Sequence, residues 1–232
     1  MISCVLTDIE GTTSSIEFVH KVLFPYSRAN FFRFLSENNQ SDVLKIVDQI
    51  WTEDLGQPKG SKPDAAQVTQ LLQKWIDEDL KKASLKELQG MIWKEGFEAK
   101  AYLGHVYPEV KEELEKWKKS GLVLAVYSSG SVQAQKLLFK HSEAGDLTPL
   151  FAANFDTAVG HKREAESYTN IAVKLGLDAA NILFLSDIKE ELDAAENAGM
   201  KTCQLMRDPK PAQGHHPLAL DFKEVTNLFL GE

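Results

Sequence analysis

The chain has 232 residues, 43% of them hydrophobic and 26% charged, and carries a net charge of −8. That composition suits a soluble globular protein of one elaborated domain, and the acidic balance argues against a nucleic-acid or anionic-membrane surface, since both are read by clustered basic side chains. The start, MISCVLTD, lacks the pattern of a signal peptide, and no run approaches the roughly 18 apolar residues of a spanning helix, so a cytoplasmic protein without membrane or nucleic-acid partners is expected. A monomer is expected as well.

Residues 2–7 are short, β-rich and mostly apolar, the texture of a strand buried on both faces of a parallel sheet. The same texture returns at 121–131, 181–187 and 201–206, and more weakly at 150–156. Helical patterns at 109–119, 132–141, 163–175 and 189–198 separate these runs. Strand alternating with helix predicts α/β architecture, a doubly wound and mostly parallel sheet with its site beyond the carboxyl ends of the strands. Residues 16–104 have almost no strand signal. Val43, Leu44, Ile46, Val47, Ile50 and Trp51 recur at helical spacing, and so do Val68, Leu71, Leu72, Trp75, Ile76 and Leu80. An all-helical insert at 16–104 is therefore expected after the first strand, as a cap, with 1–15 and 105–232 forming the α/β core. Cys4 and Cys203 lie in apolar runs and read as buried thiols, too few for a disulfide framework.

Each clear strand delivers polar groups at its C-terminal end. The first gives Asp8 and Glu10, the second Ser128 and Ser129, and the run 181–187 gives Asp187, with Glu191 one helical turn later; Lys162 lies in between. Clustered carboxylates repel unless a cation or a proton neutralises them, and Mg²⁺, a hard ion that takes oxygen ligands, suits such a set. A free carboxylate can attack phosphorus, hydroxyl and ammonium donors can hold the phosphoryl oxygens, and a second acid can move protons at the leaving oxygen. On this reading Asp8 attacks and Glu10 transfers protons.

The segments DIEGTT, VYSSGS, GHK and FLSDIKEE resemble the four motifs of the haloacid dehalogenase (HAD) superfamily. The usual first motif is Asp-x-Asp-Gly-Thr, and this chain has Glu10 at the second acidic position. In that departure, and in LTDIEGTTSSIEFV, YSSGSVQAQKLLF and GHKREAESY, it is similar to the enolase-phosphatase (acireductone synthase) family of methionine salvage. The resemblance covers nearly the whole chain. It implies a HAD-like, Rossmann-like core with a cap, and a small phosphorylated diketone that is enolised and then dephosphorylated. It also implies Mg²⁺ touched by Asp8, Glu10 and Asp187, substrate touched by Ser128, Ser129 and Lys162, and a supporting role for Glu191 behind Lys162 or a metal-bound water.

Other readings stand beside this one. A HAD phosphatase for another small phosphorylated metabolite differs in features that physics cannot map from the sequence. A hydrolytic dehalogenase needs no metal, which Glu10 with Asp187 argues against. A phosphate-receiving signalling domain would use the acid after the third strand, here Asp156. Phe18, His20 and Tyr26 are candidates to line a pocket. His161 reads as a spacer, Glu190 as solvated, and QGHHP at 213–217 as a polar structural loop.

Overall fold

The computed structural model describes every residue except Lys81, Pro209 and Glu232. The chain divides into two compact units, Met1–Phe18 with Leu103–Glu232, and Val19–Tyr102, so the boundaries fall at Phe18 and Leu103 where the sequence suggested 15 and 105.

In chain order the main elements are β1 (Cys4–Thr7), α1 (Ile16–Phe18), α2 (Phe24–Glu37), α3 (Ser41–Gln49), α4 (Ala65–Asp77), α5 (Ala83–Glu98), α6 (Val110–Lys119) and β2 (Val123–Tyr127). There follow α7 (Val132–Lys140), β3 (Ala153–Phe155), α8 (Ala165–Leu175), β4 (Ile182–Ser186), α9 (Lys189–Asn197), β5 (Lys201–Leu205), β6 (Leu218–Ala219) and α10 (Phe222–Val225). The sheet is parallel throughout, in the order β3-β2-β1-β4-β5-β6. β1 is central, with Cys4 opposite Val123 on one side and Ile182 on the other. The chain builds outward from β1 through β2 and β3, then crosses to β4 on the other side. That reversal leaves a crevice beyond the strand ends.

Every residue of β1 and β4 is buried, and the period of two sends their side chains to two different cores. Cys4, Leu6, Ala125, Tyr127 and Phe184 pack with Tyr168 and Ile171 of α8 and Leu192 of α9. Val5, Leu124, Leu183, Leu185 and Cys203 pack with Leu114 and Trp117 of α6 and Phe222 of α10. The strands therefore carry continuous apolar runs, because helices cover both faces. The two cysteines are free, buried thiols, one in each core, and burial pushes both thiols up to about 12. The strand signal at 150–156 shrinks to Ala153–Phe155 because Thr148–Leu150, with Pro149, turns as a 3₁₀ helix. β6, only two residues long, had no readable strand pattern.

The second unit has its own core, centred on the fully buried Phe31, Ile50, Val68, Leu72, Leu88 and Ile92. Asp64 begins α4 by accepting from Ala66 N–H and Gln67 N–H, which satisfies two donors that the helix itself cannot. Leu44 and Leu80 share the helical stripes read from the sequence, yet both are exposed. No helix among the described residues is long and apolar enough to cross a membrane.

The central position of β1 makes its packing sensitive. Leu6→Ala is expected to lower stability by about 2–5 kcal/mol, whereas Val173→Ala, at an exposed position of α8, should stay within about 0.5 kcal/mol. Urea unfolding of both variants measures the contrast.

Candidate active site

The site begins where β1 runs out. Asp8 N–H still donates to Leu185 O at 2.9 Å, so the nucleophile candidate is placed by the last rung of the ladder to β4. The chain then turns sharply. Thr12, Thr13 and Ser14 N–H all donate to Ile9 O, at 3.2, 3.0 and 2.9 Å. Gly11 sits at φ 69° in this turn, and a Cβ there would lie 2.3 Å from Asp187 Oδ2. Glycine is required both by the left-handed backbone and by the acid packed against it.

Lys162 organises the cluster. Its Nζ lies 2.7 Å from Asp8 Oδ1 and 2.7 Å from Glu191 Oε2, with all three side chains largely buried. Asp8 Oδ1 also accepts from Ile9 N–H at 2.8 Å. Both contacts thus fall on one oxygen, and among the described residues Asp8 Oδ2 has no hydrogen-bond partner. Ser128 Oγ, fully buried at the end of β2, donates to Glu10 Oε2 at 3.1 Å and accepts from Gly130 N–H. Ser186 Oγ donates to Glu191 Oε2 at 3.0 Å. Asp187 Oδ1 is buried without a hydrogen bond among the described residues.

The electrostatics follow from four acids and one ammonium. Burial lifts Asp187 to about 7, aided by the neighbouring Asp8 charge. Burial and Asp8 lift Glu191 to about 7 in the same way, and raise Glu10 too. For Lys162, burial favours the neutral amine, but Asp8 and Glu191 outweigh it and hold the ammonium above its ordinary value. These directions agree: burial first and the neighbouring negative charge second raise Glu10, Asp187 and Glu191 together, so these three favour their protonated forms where no further cation is near.

The structure thus joins Asp8, Lys162 and Glu191 through direct contacts, pairs Glu10 with Ser128, and packs Asp187 against Gly11. Ser129 is exposed and takes no part in these contacts. Asp156, the rival acceptor, is used as a cap: Oδ1 accepts from Ala158 N–H and Oδ2 from Val132 N–H. Glu190 pairs with Lys189 at the helix start.

The haloacid dehalogenase-like hydrolase family profile matches residues 2–199. The chain is 49% identical over 225 residues to an enolase-phosphatase E1 of Serratia proteamaculans, covering 97% of each chain. It is 50% identical to an enolase-phosphatase E1 of Pseudomonas fluorescens, over 92% of this chain and 93% of the other. The chain belongs to the enolase-phosphatase E1 family of haloacid dehalogenase-like hydrolases. Among solved structures it is similar to the UTR4 protein of Saccharomyces cerevisiae, with a TM-score of 0.82 and 30% identity over 96% of this chain and 99% of that one.

HAD phosphatases are generally Mg²⁺-dependent, and the residues of this family member fit the ion. The donors are all oxygen, the negative charge exceeds what Lys162 neutralises, and Asp187 Oδ1 is a buried acceptor that no protein group satisfies. Such an oxygen is stable only beside a cation, a water or a proton.

One positioning residue was not visible in the sequence. Arg207, buried just beyond β5, donates from Nε and Nη2 to Thr12 O, at 3.3 and 3.1 Å, and pairs through Nη2 with Glu109. Its guanidinium stacks 4.0 Å from the Tyr107 ring, and Tyr107 N–H donates to Thr13 O. The turn after Asp8 is therefore clamped by a residue that follows β5, two strands away from β1. A lone basic residue after a strand has no spacing signal; only the parallel topology brings it to residue 12.

Gly11→Ala provides a test with an internal control. Gly121 also has positive φ, at 91°, but a Cβ there meets nothing within 4 Å. Both alanine variants should show backbone strain of about 1–2 kcal/mol. Gly11→Ala should lose more, since Asp187 must also move. Paired thermal melts check this, and equal losses would show that Asp187 yields freely.

Proposed function

We propose that this protein is a Mg²⁺-dependent enolase-phosphatase of methionine salvage. It converts 2,3-diketo-5-methylthiopentyl 1-phosphate to the acireductone 1,2-dihydroxy-3-keto-5-methylthiopentene and phosphate. The observation that carries this reading is the 49% identity, over 97% of the chain, to the Serratia enolase-phosphatase E1. The arrangement of carboxylates supports the chemistry.

Lys162 and Ile9 N–H hold Asp8 Oδ1, leaving Oδ2 as the attacking atom. Its lone pair forms a bond to phosphorus while the bond from phosphorus to the substrate's ester oxygen breaks. Glu10, whose carboxyl is raised by burial and by Asp8, protonates that leaving oxygen. Water then gives a proton to the Glu10 carboxylate and attacks the phosphorus. The bond to Asp8 breaks, which restores both acids. Ser128 fixes the Glu10 carboxyl by donating to Oε2. Lys162 has three donors and uses two on Asp8 and Glu191, so the third is available to a phosphoryl oxygen. Asp8, Glu10 and Asp187 would hold Mg²⁺, which when bound supplies positive charge for the phosphoryl oxygens and for the diketone carbonyl. In the enolisation, which comes first, the Glu10 carboxylate takes the proton from carbon and passes it to the neighbouring carbonyl oxygen as the enol forms, and it takes up a proton from solvent before it acts as the acid at the leaving oxygen.

The deciding experiment is product analysis with the diketo phosphate and Mg²⁺ beside a panel of simple sugar phosphates. Acireductone from the first and little phosphate from the panel supports the assignment. Preference for a sugar phosphate would make this a phosphatase of another metabolite.

Asp8→Asn should lower phosphate release on the order of a thousandfold or more, because the amide fits but does not attack. Thermal melting should show the variant folded, and near-normal turnover would remove Asp8 from the nucleophile role.

Without Mg²⁺ the fold favours neutral Asp187, with its pKa pushed up to about 7 by burial against an ordinary value of 3.8. Between those values the folded chain binds more protons than the unfolded one, so this group makes stability fall as pH rises. Mg²⁺ binding needs the carboxylate. The rise in melting temperature on adding Mg²⁺ should therefore be larger near pH 8 than near pH 5, and Asp187→Asn should remove most of the difference.

Glu10→Asp shortens the side chain by one methylene and withdraws the carboxyl by about 1 Å, a displacement that can cost on the order of a hundredfold in rate. An aryl phosphate has a good leaving group and needs little protonation. The ratio of kcat/KM for the diketo phosphate to that for an aryl phosphate should fall in the variant; an unchanged ratio would deny Glu10 a special part in the enolisation and make its extra length a packing accommodation.

A further inference from the structure

Two residues past Glu191 on α9, a second set of metal-binding side chains comes together around the loop that precedes β6. We infer that Asp193, His215 and His216 form a binding site for a zinc-class divalent ion, separate from the carboxylate cluster and independent of its assignment. The sequence alone reads the adjacent histidines as a structural loop. The fold changes that reading by placing both rings on the same side, with centroids 4.1 Å apart, against an acid of α9.

The spacing is that of ligands around one ion. Asp193 Oδ1 lies 3.0 Å from His216 Nε2 and 3.7 Å from His215 Nδ1, and the candidate ligand atoms all lie within 4.8 Å of one another. A tetrahedral ion with bonds of about 2.0–2.1 Å places its ligands about 3.3–3.4 Å apart, so the first two spacings fall on either side of the required value. At 3.7 Å the His215–Asp193 approach is too long for a hydrogen bond, yet suits two groups that share a cation.

The outer atoms of both rings are also arranged for this role. A ligating histidine almost always gives its other ring nitrogen to an oxygen, which fixes the tautomer and the ring plane. His215 Nε2 lies 2.8 Å from Glu196 Oε2, and His216 Nδ1 lies 2.9 Å from Thr202 Oγ1. His215 with its proton on Nε2 already presents a free Nδ1. For His216, binding moves the proton from Nε2 to Nδ1, and the Thr202 hydroxyl rotates from donor to acceptor.

The frame is built before any ion arrives. Gln204 donates to Asp187 O and Ala212 O, each at 2.8 Å, and accepts from Gly214 N–H. Gly214 is pressed onto α9, where a Cβ would lie 3.0 Å from Lys189 Cβ. The His216 side chain is fully buried, while that of His215 is 66% exposed, so the ion would have a rigid inner side and an open position for water. Two imidazoles with one carboxylate select zinc and its neighbours over Mg²⁺, which prefers an all-oxygen octahedron. Bound there, the ion would fasten the 212–217 loop to α9, and through Gln204 brace the backbone of Asp187.

Zn²⁺ titration by calorimetry in saturating Mg²⁺ tests the site, with wild type and Asp187→Asn in parallel so that uptake by the carboxylate cluster is recognised. Both proteins should bind one equivalent of Zn²⁺ and melt at a higher temperature with it. His215→Ala, an exposed change that should leave Mg²⁺-dependent turnover intact, should abolish that equivalent. Glu196→Gln should weaken it by about 10–100-fold. Co²⁺ in place of Zn²⁺ should give visible absorption in wild type and none in His215→Ala. No Zn²⁺ uptake, uptake that disappears with Asp187→Asn, or equal affinity in His215→Ala would each overturn the inference.

Discussion

Lys162 stands among more buried negative charge than it can neutralise, and the carboxyl edge of the sheet is organised by that imbalance. Its ammonium satisfies one oxygen of Asp8 and one of Glu191, while Asp187 and Glu10 keep raised affinities for protons. Removing one partner of a buried ion pair typically costs about 3–5 kcal/mol, so neither the lysine nor its acids are free to drift in sequence independently. A site that is short of positive charge attracts a divalent cation by itself and repels a phosphoryl group until such a cation is present. Stability and chemistry therefore make the same demand here.

That demand is met by backbone precision more than by side-chain number. The turn after β1 folds three N–H groups onto Ile9 O, and Gly11 brings the backbone against Asp187 without a Cβ between them. Arg207 then fixes the far side of the turn at Thr12 O. Asp8 and Glu10 depend on these restraints for their direction, since a parallel strand end has no further ladder to hold it.

Much of this was legible in the sequence. The strand runs were readable because helices cover both faces, so apolar residues were continuous where β1, β2 and β4 now lie. Asp8, Glu10, Ser128, Lys162, Asp187 and Glu191 were readable because each follows a strand or sits in a short motif, and parallel topology sends all strand ends to one edge. Ser129 shared the motif but faces solvent, since spacing does not say which of two neighbouring hydroxyls turns inward. Arg207 and the His215–His216 pair were opaque for a different reason. Their partners, Thr12, Glu109 and Asp193, are remote in sequence and joined only by the order of the strands.

The central place of β1 has a consequence for how the molecule is made. It is the first strand to be synthesised, yet its two neighbours begin only at Val123 and Ile182. The unit Val19–Tyr102 lies between β1 and either partner, and its core is complete within its own segment. On the ribosome that unit can fold while β1 still exposes two unpaired edges and an apolar surface on each face. Closure over the insert adds little penalty, about 0.6 kcal/mol for each doubling of loop length, so the finished fold tolerates the interruption. The nascent chain bears it instead: a central, wholly buried strand of the native sheet is the one that waits longest for shelter, and chaperone dependence should concentrate in the interval before β4 emerges.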